Sequence, residues 1–412
     1  MDDILKQAEL LFEENQHEYA IFLLTDAIQS AHYDKAEALC KRSACYMHMN
    51  RYRDACSDLT KAIELDRTIP SAYVRQSKCY LAMGDLENAI CSLEILRSID
   101  PDSSFAKFEL EKLRTLKGYD IEAKALFARQ KYSDVVNLMD KCLERAEICI
   151  KFKLMKAECL VYLREHEQAV IIVNEVLFLH KDDIEAICIR AMNLLHQEKY
   201  QLGMIELKEV LTISAKATQM FKQYKAIIEK LKRADKALQA NRLEEARCFY
   251  EEVLRIDTKN VTKNMKVHLK LAELHQRLQQ YKEAIEYCTR VLEIEPSIMA
   301  LKIRAECNFD LEDFDVSVED YRELVKLDNT LANKSRLDAA QKQLTVDNDP
   351  CKLFGISASA SAEDIKKIYR KLIIKYHPDK HPDESKYVQY KMKVRFARIQ
   401  QAYEKLKRQS GK

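Results

Sequence analysis

Apolar residues recur every three or four positions along most of the chain, and small side chains impose a second, longer period on that pattern. A small residue, eleven intervening positions, a second small residue, six further positions and an apolar residue occur nine times in succession. Ala8, Ser43, Ser77, Ala123, Ala157, Ala191, Ala234, Ala272 and Ala305 fill the first position. Ala20, Ala55, Ala89, Val135, Ala169, Gly203, Ala246, Ala284 and Ser317 fill the second, where only Val135 is bulky. The third holds Ala27, Ala62, Leu96, Cys142, Val176, Val210, Val253, Val291 and Leu324. Two antiparallel helices of about twelve residues approach closely only where each presents a small side chain, with larger residues filling the grooves on either side. The twelve-residue offset puts one such residue on each helix of a hairpin. Met49-Asn50-Arg51, Met83-Gly84-Asp85 and Ala240-Asn241-Arg242 suit the turns, and Pro70, Pro101 and Pro296 stand near repeat ends, where a helix cannot continue.

Successive copies start 35, 34, 46, 34, 34, 43, 38 and 33 residues apart. The two longest intervals divide the array into three groups, 1–103, 116–218 and 227–330. Residues 105–116 and 220–238 stay helically periodic without breakers, so the extra length is expected to extend the last helix of each group. The period and residue pattern resemble tetratricopeptide repeats. That resemblance implies an all-α superhelical solenoid whose concave face, lined by the first helix of each repeat, recognises other proteins.

Composition narrows the chemistry. The chain has 412 residues but only 5 Gly and 6 Pro, so turns that need positive φ are expected to be scarce. No GxGxxG or GxxxxGK can be written, which sets aside nucleotide-binding α/β enzymes. The 13 Cys are spread singly, without CxxC or zinc-type spacing, and residues such as Cys56, Cys91 and Cys288 read as buried, reduced thiols. No metal or cofactor is expected. No run of 18 apolar residues predicts a membrane span, and the acidic start MDDILKQAEL lacks a secretion pattern. A cytoplasmic or nuclear location is expected.

Some tetratricopeptide modules hold the acidic C-termini of heat-shock chaperones in a carboxylate clamp of Lys, Asn and Arg side chains. In the first group the corresponding positions are Leu5, Glu9, Lys41, Ser71 and Arg75, of which only Arg75 matches. The second group offers Asp120, Lys124, Met155, Glu185 and Ile189, and the third Leu231, Asp235, Lys270, Met299 and Ile303. Neither is a clamp. Lys41 and Arg75 remain as groove candidates, although a solvated groove residue is the favoured reading of each.

A linking helix is expected over 331–348, and beyond it the character of the sequence changes. Residues 350–412 carry 16 Lys plus Arg and 6 Asp plus Glu, a net +10 against −8 for the rest. Ser361 can cap a helix with Asp364 three residues on, and Ile365, Ile368, Tyr369, Leu372 and Tyr376 form its apolar stripe until Pro378 ends it. A second helix, 386–407, presents Phe396, Ile399, Ala402, Tyr403 and Leu406. An antiparallel hairpin with HPDKHPDE at its tip follows.

Residues 349–412 resemble the J domain of DnaJ-type co-chaperones. The resemblance rests on YRKLxxxYH, on His377-Pro378-Asp379 and on FxxIxxAYxxL occurring in that order. The usual Asp-Tyr-Tyr-x-x-Leu-Gly start is DPCKLFG here, and the fourth helix and glycine-phenylalanine tail of the family are missing. The resemblance implies that the HPD turn contacts a heat shock protein 70 and triggers its ATP hydrolysis. It further implies that Lys366, Lys367, Arg370, Lys371 and Lys375 face an acidic patch on that partner, with Tyr369 and Lys380 in the same surface. An acid–base pair of His377 and Asp379 would need a pocket and a third orienting group, which an exposed hairpin tip does not offer. Nucleic-acid binding is disfavoured, because no aromatic platform or arginine-rich run accompanies the basic face.

Nine tetratricopeptide repeats followed by a J domain is an order similar to two eukaryotic co-chaperone types. One is cytosolic and links heat shock proteins 70 and 90; the other is lumenal and inhibits translation-factor kinases. FKLMKAECL at 152–160 looks like the cytosolic type. The expected function is a non-enzymatic co-chaperone that binds clients or chaperones, heat shock protein 90 among them, through its grooves. The alternative is a repeat scaffold or kinase-regulating adaptor with a vestigial J domain.

Overall fold

The computed structural model describes residues 3–30, 34–357, 359–380 and 386–410. Among these residues every regular element is helical. The chain divides into two compact units, Met1–Tyr224 and Lys225–Lys412.

The first unit stacks hairpins of α1 (Asp3–Glu13) with α2 (His17–Gln29), α3 (Lys35–His48) with α4 (Tyr52–Leu65), and α5 (Pro70–Met83) with α6 (Leu86–Ile99). There follow α7 (Ser104–Ala128) with α8 (Tyr132–Arg145), α9 (Ile150–Tyr162) with α10 (His166–Leu179), and α11 (Ile184–His196) with α12 (Tyr200–Glu209). Next comes α13 (Ala215–Gln239). In the second unit the later half of α13 pairs with α14 (Leu243–Ile256), α15 (Val261–Arg277) with α16 (Tyr281–Leu292), and α17 (Ile298–Asp310) with α18 (Phe314–Leu327). The chain ends in α19 (Leu331–Asn348), α20 (Pro350–Phe354), α21 (Ala362–Tyr376) and α22 (Lys386–Ser410).

Every residue of the nine-fold pattern is buried, at all three positions of each copy. The two helices of a hairpin touch at these points. At Gly203 even a methyl would not fit, because a Cβ there would lie 2.6 Å from Leu195 Cγ. Where the small residue is a serine it also ties the helices together: Ser77 Oγ donates to the Ala89 carbonyl and Ser317 Oγ to the Ala305 carbonyl, each at 2.9 Å. Arg42 is bidentate to Asp58 at 2.7 and 2.8 Å, and Arg304 to Asp320 at 3.0 and 2.7 Å. Arg190 meets Glu206 in the same register. Each arginine directly precedes a first small position and reaches across its own hairpin, a brace the small-residue pattern alone did not show.

The expectation that positive-φ turns would be scarce is overturned. Each hairpin turns through one left-handed residue: Asn15, Asn50, Gly84, Gln130, Arg164, Glu198, Asn241, Gln279 and Glu312. Each lies five positions before the second small residue. In every case the next residue's N–H donates back to a carbonyl five residues earlier, as Arg51 to Tyr46 and Asp313 to Asn308 do at 2.8 Å. This closing bond satisfies a helix-end carbonyl, so the turn holds although eight of nine occupants carry a side chain that disfavours the conformation.

The extra length of the fourth and seventh copies also lies elsewhere than expected. α6 stops at Ile99 ahead of Pro101, and residues 105–116 form the front of α7, which runs for 25 residues through Ala123. Residues 220–238 likewise belong to the 25-residue α13, which passes through Ala234. Proline ends the earlier helix, and nothing between the periodic stretch and the next small position interrupts the later one. α19 occupies the span expected for the linking helix and is capped by the Thr330 hydroxyl accepting from Asn333 N–H. It closes the second unit's stack by packing Ala340, Leu337 and Leu344 on Leu301, Val318 and Leu324.

All thirteen cysteines are free thiols. Cys56 and Cys288 are buried as expected, and burial pushes the Cys288 thiol up to about 12. Cys91 is exposed instead, because it sits on the outward side of α6, two residues past the buried Ala89.

Two outcomes follow. Gln130→Gly removes the strain of a left-handed non-glycine residue and raises the stability of the first unit by about 1 kcal/mol in chemical denaturation. His268 on α15 is half-buried beside the Tyr287 ring, and burial, with Arg290 adding to it, lowers its pKa to about 4. The fold therefore favours the neutral ring, and stability is lost as pH falls from about 6.5 towards 4, on the order of 2 kcal/mol. His268→Phe removes that part of the pH dependence, read from unfolding midpoints across the range.

Candidate interaction surface

The C-terminal 60 or so residues form a small helical unit with its own core. Phe354, Ile365, Ile399, Ala402 and Leu406 are buried together, drawn from α20, α21 and α22. α20 is only five residues long, yet Asp349 caps it, Pro350 starts it and Gly355, at φ 63°, ends it. α21 begins as expected: Ser361 Oγ accepts from Asp364 N–H and donates to its carboxylate at 2.6 Å. Tyr369 is held against α22 by stacking on Tyr403, with ring centroids 3.9 Å apart.

The helix stops at Tyr376 because the following residue precedes a proline and is held extended, with His377 at φ −64° and ψ 128°. Pro378, Asp379 and Lys380 make one 3-10 turn, closed by Lys380 N–H donating to the His377 carbonyl at 3.0 Å. His377 Nδ1 accepts from Asp379 N–H at 3.3 Å, which leaves the ring proton on Nε2. The imidazole edge also meets Phe396 of α22 at 5.2 Å, nearly perpendicular. The side chains of His377 and Asp379 are 40% and 87% exposed. The turn is thus fixed in shape and open to a partner. The rest of the expected tip, His381-Pro382-Asp383-Glu384, lies outside the described residues.

Lys366, Lys367, Arg370, Lys371, Lys375 and Lys380 are all exposed. They give α21 a positive outer face that continues into the turn. Ile374, 56% exposed, lies within that face and was not singled out from sequence. Its signal was available: it follows Arg370 and Lys371 by one helical turn and falls off the apolar stripe.

Both groove candidates make contacts within the array. Lys41 Nζ lies 2.8 Å from Glu9 and 2.7 Å from Glu37. Arg75 donates to the Cys40 carbonyl at 2.9 Å and so joins two repeats. Other clamp positions are committed in the same way. Burial would raise the Asp120 carboxyl, but hydrogen bonds from Lys124 and Lys151 hold it below the usual carboxylate range. Asp235 accepts from the Tyr250 hydroxyl at 2.6 Å, and Lys270 pairs with Glu273 at 3.4 Å.

Comparison with known families agrees with this geometry. Residues 349–412 match the DnaJ domain, and residues 36–69 and 265–298 match tetratricopeptide repeats. Hairpin repeats ending in a J domain are the architecture of this chain. It is similar to DnaJ homolog subfamily C member 7 of Mus musculus, 28% identical over 416 residues, covering 98% of this chain and 84% of the mouse protein. It is also similar to the DnaJ protein P58IPK homolog of Arabidopsis thaliana, 26% identical over 388 residues, covering 92% of this chain and 80% of that one. Among solved structures, the crystal structure of the P58(IPK) TPR domain aligns with a TM-score of 0.46 at 21% identity, covering 84% of this chain and 99% of that chain.

Arg75 acts as an inter-repeat tie. Arg75→Ala is expected to lower the stability of the first unit by about 1–2 kcal/mol, because it leaves a carbonyl between repeats without its charged donor. Binding of an acidic C-terminal peptide, followed by calorimetry, is expected to stay unchanged.

Proposed function

We propose that the His377-Pro378-Asp379 turn engages a heat shock protein 70 and stimulates its ATP hydrolysis, so that the chemistry resides in the partner and this chain performs none alone. The observation that carries the reading is the fixed, outward turn joined to an unbroken positive helix face. A turn already held by Pro378 and by two internal hydrogen bonds loses little conformational freedom on binding. Lys366, Lys367, Arg370 and Lys371 supply long-range attraction to an acidic surface, which speeds encounter and orients the approach. Ile374 adds an apolar contact at the centre of that face. The grooves carry client polypeptides. Binding of heat shock protein 90 through a carboxylate clamp finds no support in the contacts of Lys41 and Arg75. Thirteen unpaired thiols support a reducing, cytosolic setting.

Single-turnover ATP hydrolysis by a heat shock protein 70 tests this. The full chain is expected to accelerate it and His377→Gln to abolish the acceleration. Lys367→Glu with Arg370→Glu is expected to raise the half-maximal concentration about tenfold at low salt, and less at high salt. If the wild-type chain gives no acceleration, the scaffold reading replaces this one; ATP turnover by the chain alone would overturn the assignment of catalysis to the partner.

A further inference from the structure

α22 presents two rows of side chains. One row builds the core of the C-terminal unit. The other meets the eighth and ninth hairpins and the end of α19. Lys282 Nζ on α16 lies 3.9 Å over the Tyr390 ring. Arg395 Nη1 pairs with Glu312 Oε1 at 2.8 Å, and its guanidinium also lies 5.2 Å over the Tyr376 ring, one residue before the HPD turn. Arg398 Nε meets Asp347 Oδ2 at 3.0 Å with its guanidinium 5.5 Å over Phe314.

Three features give this contact a particular character. The buried core of the ninth hairpin and that of the C-terminal unit share no residue, so charge and ring contacts bridge two separate apolar clusters. Glu312 occupies the left-handed turn position, and of the nine residues at that position it is the only buried one apart from Gly84. The backbone between the two clusters changes direction at Asp349, which is extended between α19 and α20. The Arg395 side chain is 40% exposed, so water reaches the pair from one side, and contacts of this kind separate while each apolar cluster stays intact.

We propose that Arg395 and Glu312 form a releasable latch that holds the J domain on the ninth hairpin and fixes where the HPD turn points. With the latch closed, the basic face of α21 and the turn stay outward; with it open, the J domain pivots at Asp349 and the turn samples a wider arc. The functional meaning of that arc rests on the chaperone-contact reading above, whereas the latch itself does not.

The test uses the full chain with spin labels on non-natural ketone side chains replacing Lys326 of α18 and Lys367 of α21. A single narrow distance distribution is expected in the otherwise native protein at low salt. Glu312→Arg or Arg395→Glu is expected to broaden it at least twofold. The double exchange is expected to restore the narrow distribution, since Arg164 shows that arginine is compatible with this turn position. Hydrogen-exchange protection of α21 and α22 checks that each variant keeps its J-domain fold. Unchanged widths in both single variants, or a double exchange as broad as either, would overturn the latch. ATPase assays on the unlabelled counterparts, which keep Lys326 and Lys367, separate the two readings: absent stimulation in all of them removes the chaperone-contact function and leaves the distance result to decide the latch.

Discussion

The close approach of two helices at a pair of small side chains underlies everything else in this molecule. Wherever Ala20 faces Ala8, or Ser317 faces Ala305, the backbones come near enough for the large neighbours to interlock. A single hairpin of this kind cannot bury both faces, so each depends on the next. Repetition follows from that dependence, and so does the need for α19, which covers the last open face of the second unit.

Stacked hairpins of this construction offer long surfaces. The C-terminal unit solves a different problem, since it must present one small feature with a defined shape. It does so by stopping a helix with proline, closing the next turn on the His377 carbonyl and bracing the imidazole against Phe396. Rigid display at the tip and extended surface on the arm are complementary properties of one chain.

Much of this was legible in the residues, because the relevant forces are local and periodic. The small positions from Ala8 to Ser317, the Ser361 cap and the helix end before Pro378 are all set by neighbours within a few turns. Legibility failed where the deciding partner is distant or absent from any pattern. Glycine scarcity suggested few left-handed turns, but a helix-end hydrogen bond holds Gln130 and Glu198 in that conformation as it does Gly84. The seams at α7 and α13 were misplaced because periodicity shows that a stretch is helical and not which neighbour it joins. Cys91 was placed inside on residue type alone, although its position two residues past Ala89 turns it to the outward side of α6. Arg395 and Glu312 are 83 residues apart, and no spacing rule connects them.

The uniform turn geometry also separates shape from identity. Since asparagine, glutamine, arginine, glutamate and glycine all occupy the same backbone corner, each hairpin carries a socket into which evolution can set a different tooth without remaking the scaffold. Asn50 accepts from the Tyr52 hydroxyl and Asn241 from Arg277, whereas Glu312 of the final copy grips Arg395 of α22. A modular array built this way acquires a new attachment point by one codon change, at a site where the fold has already accepted almost any side chain.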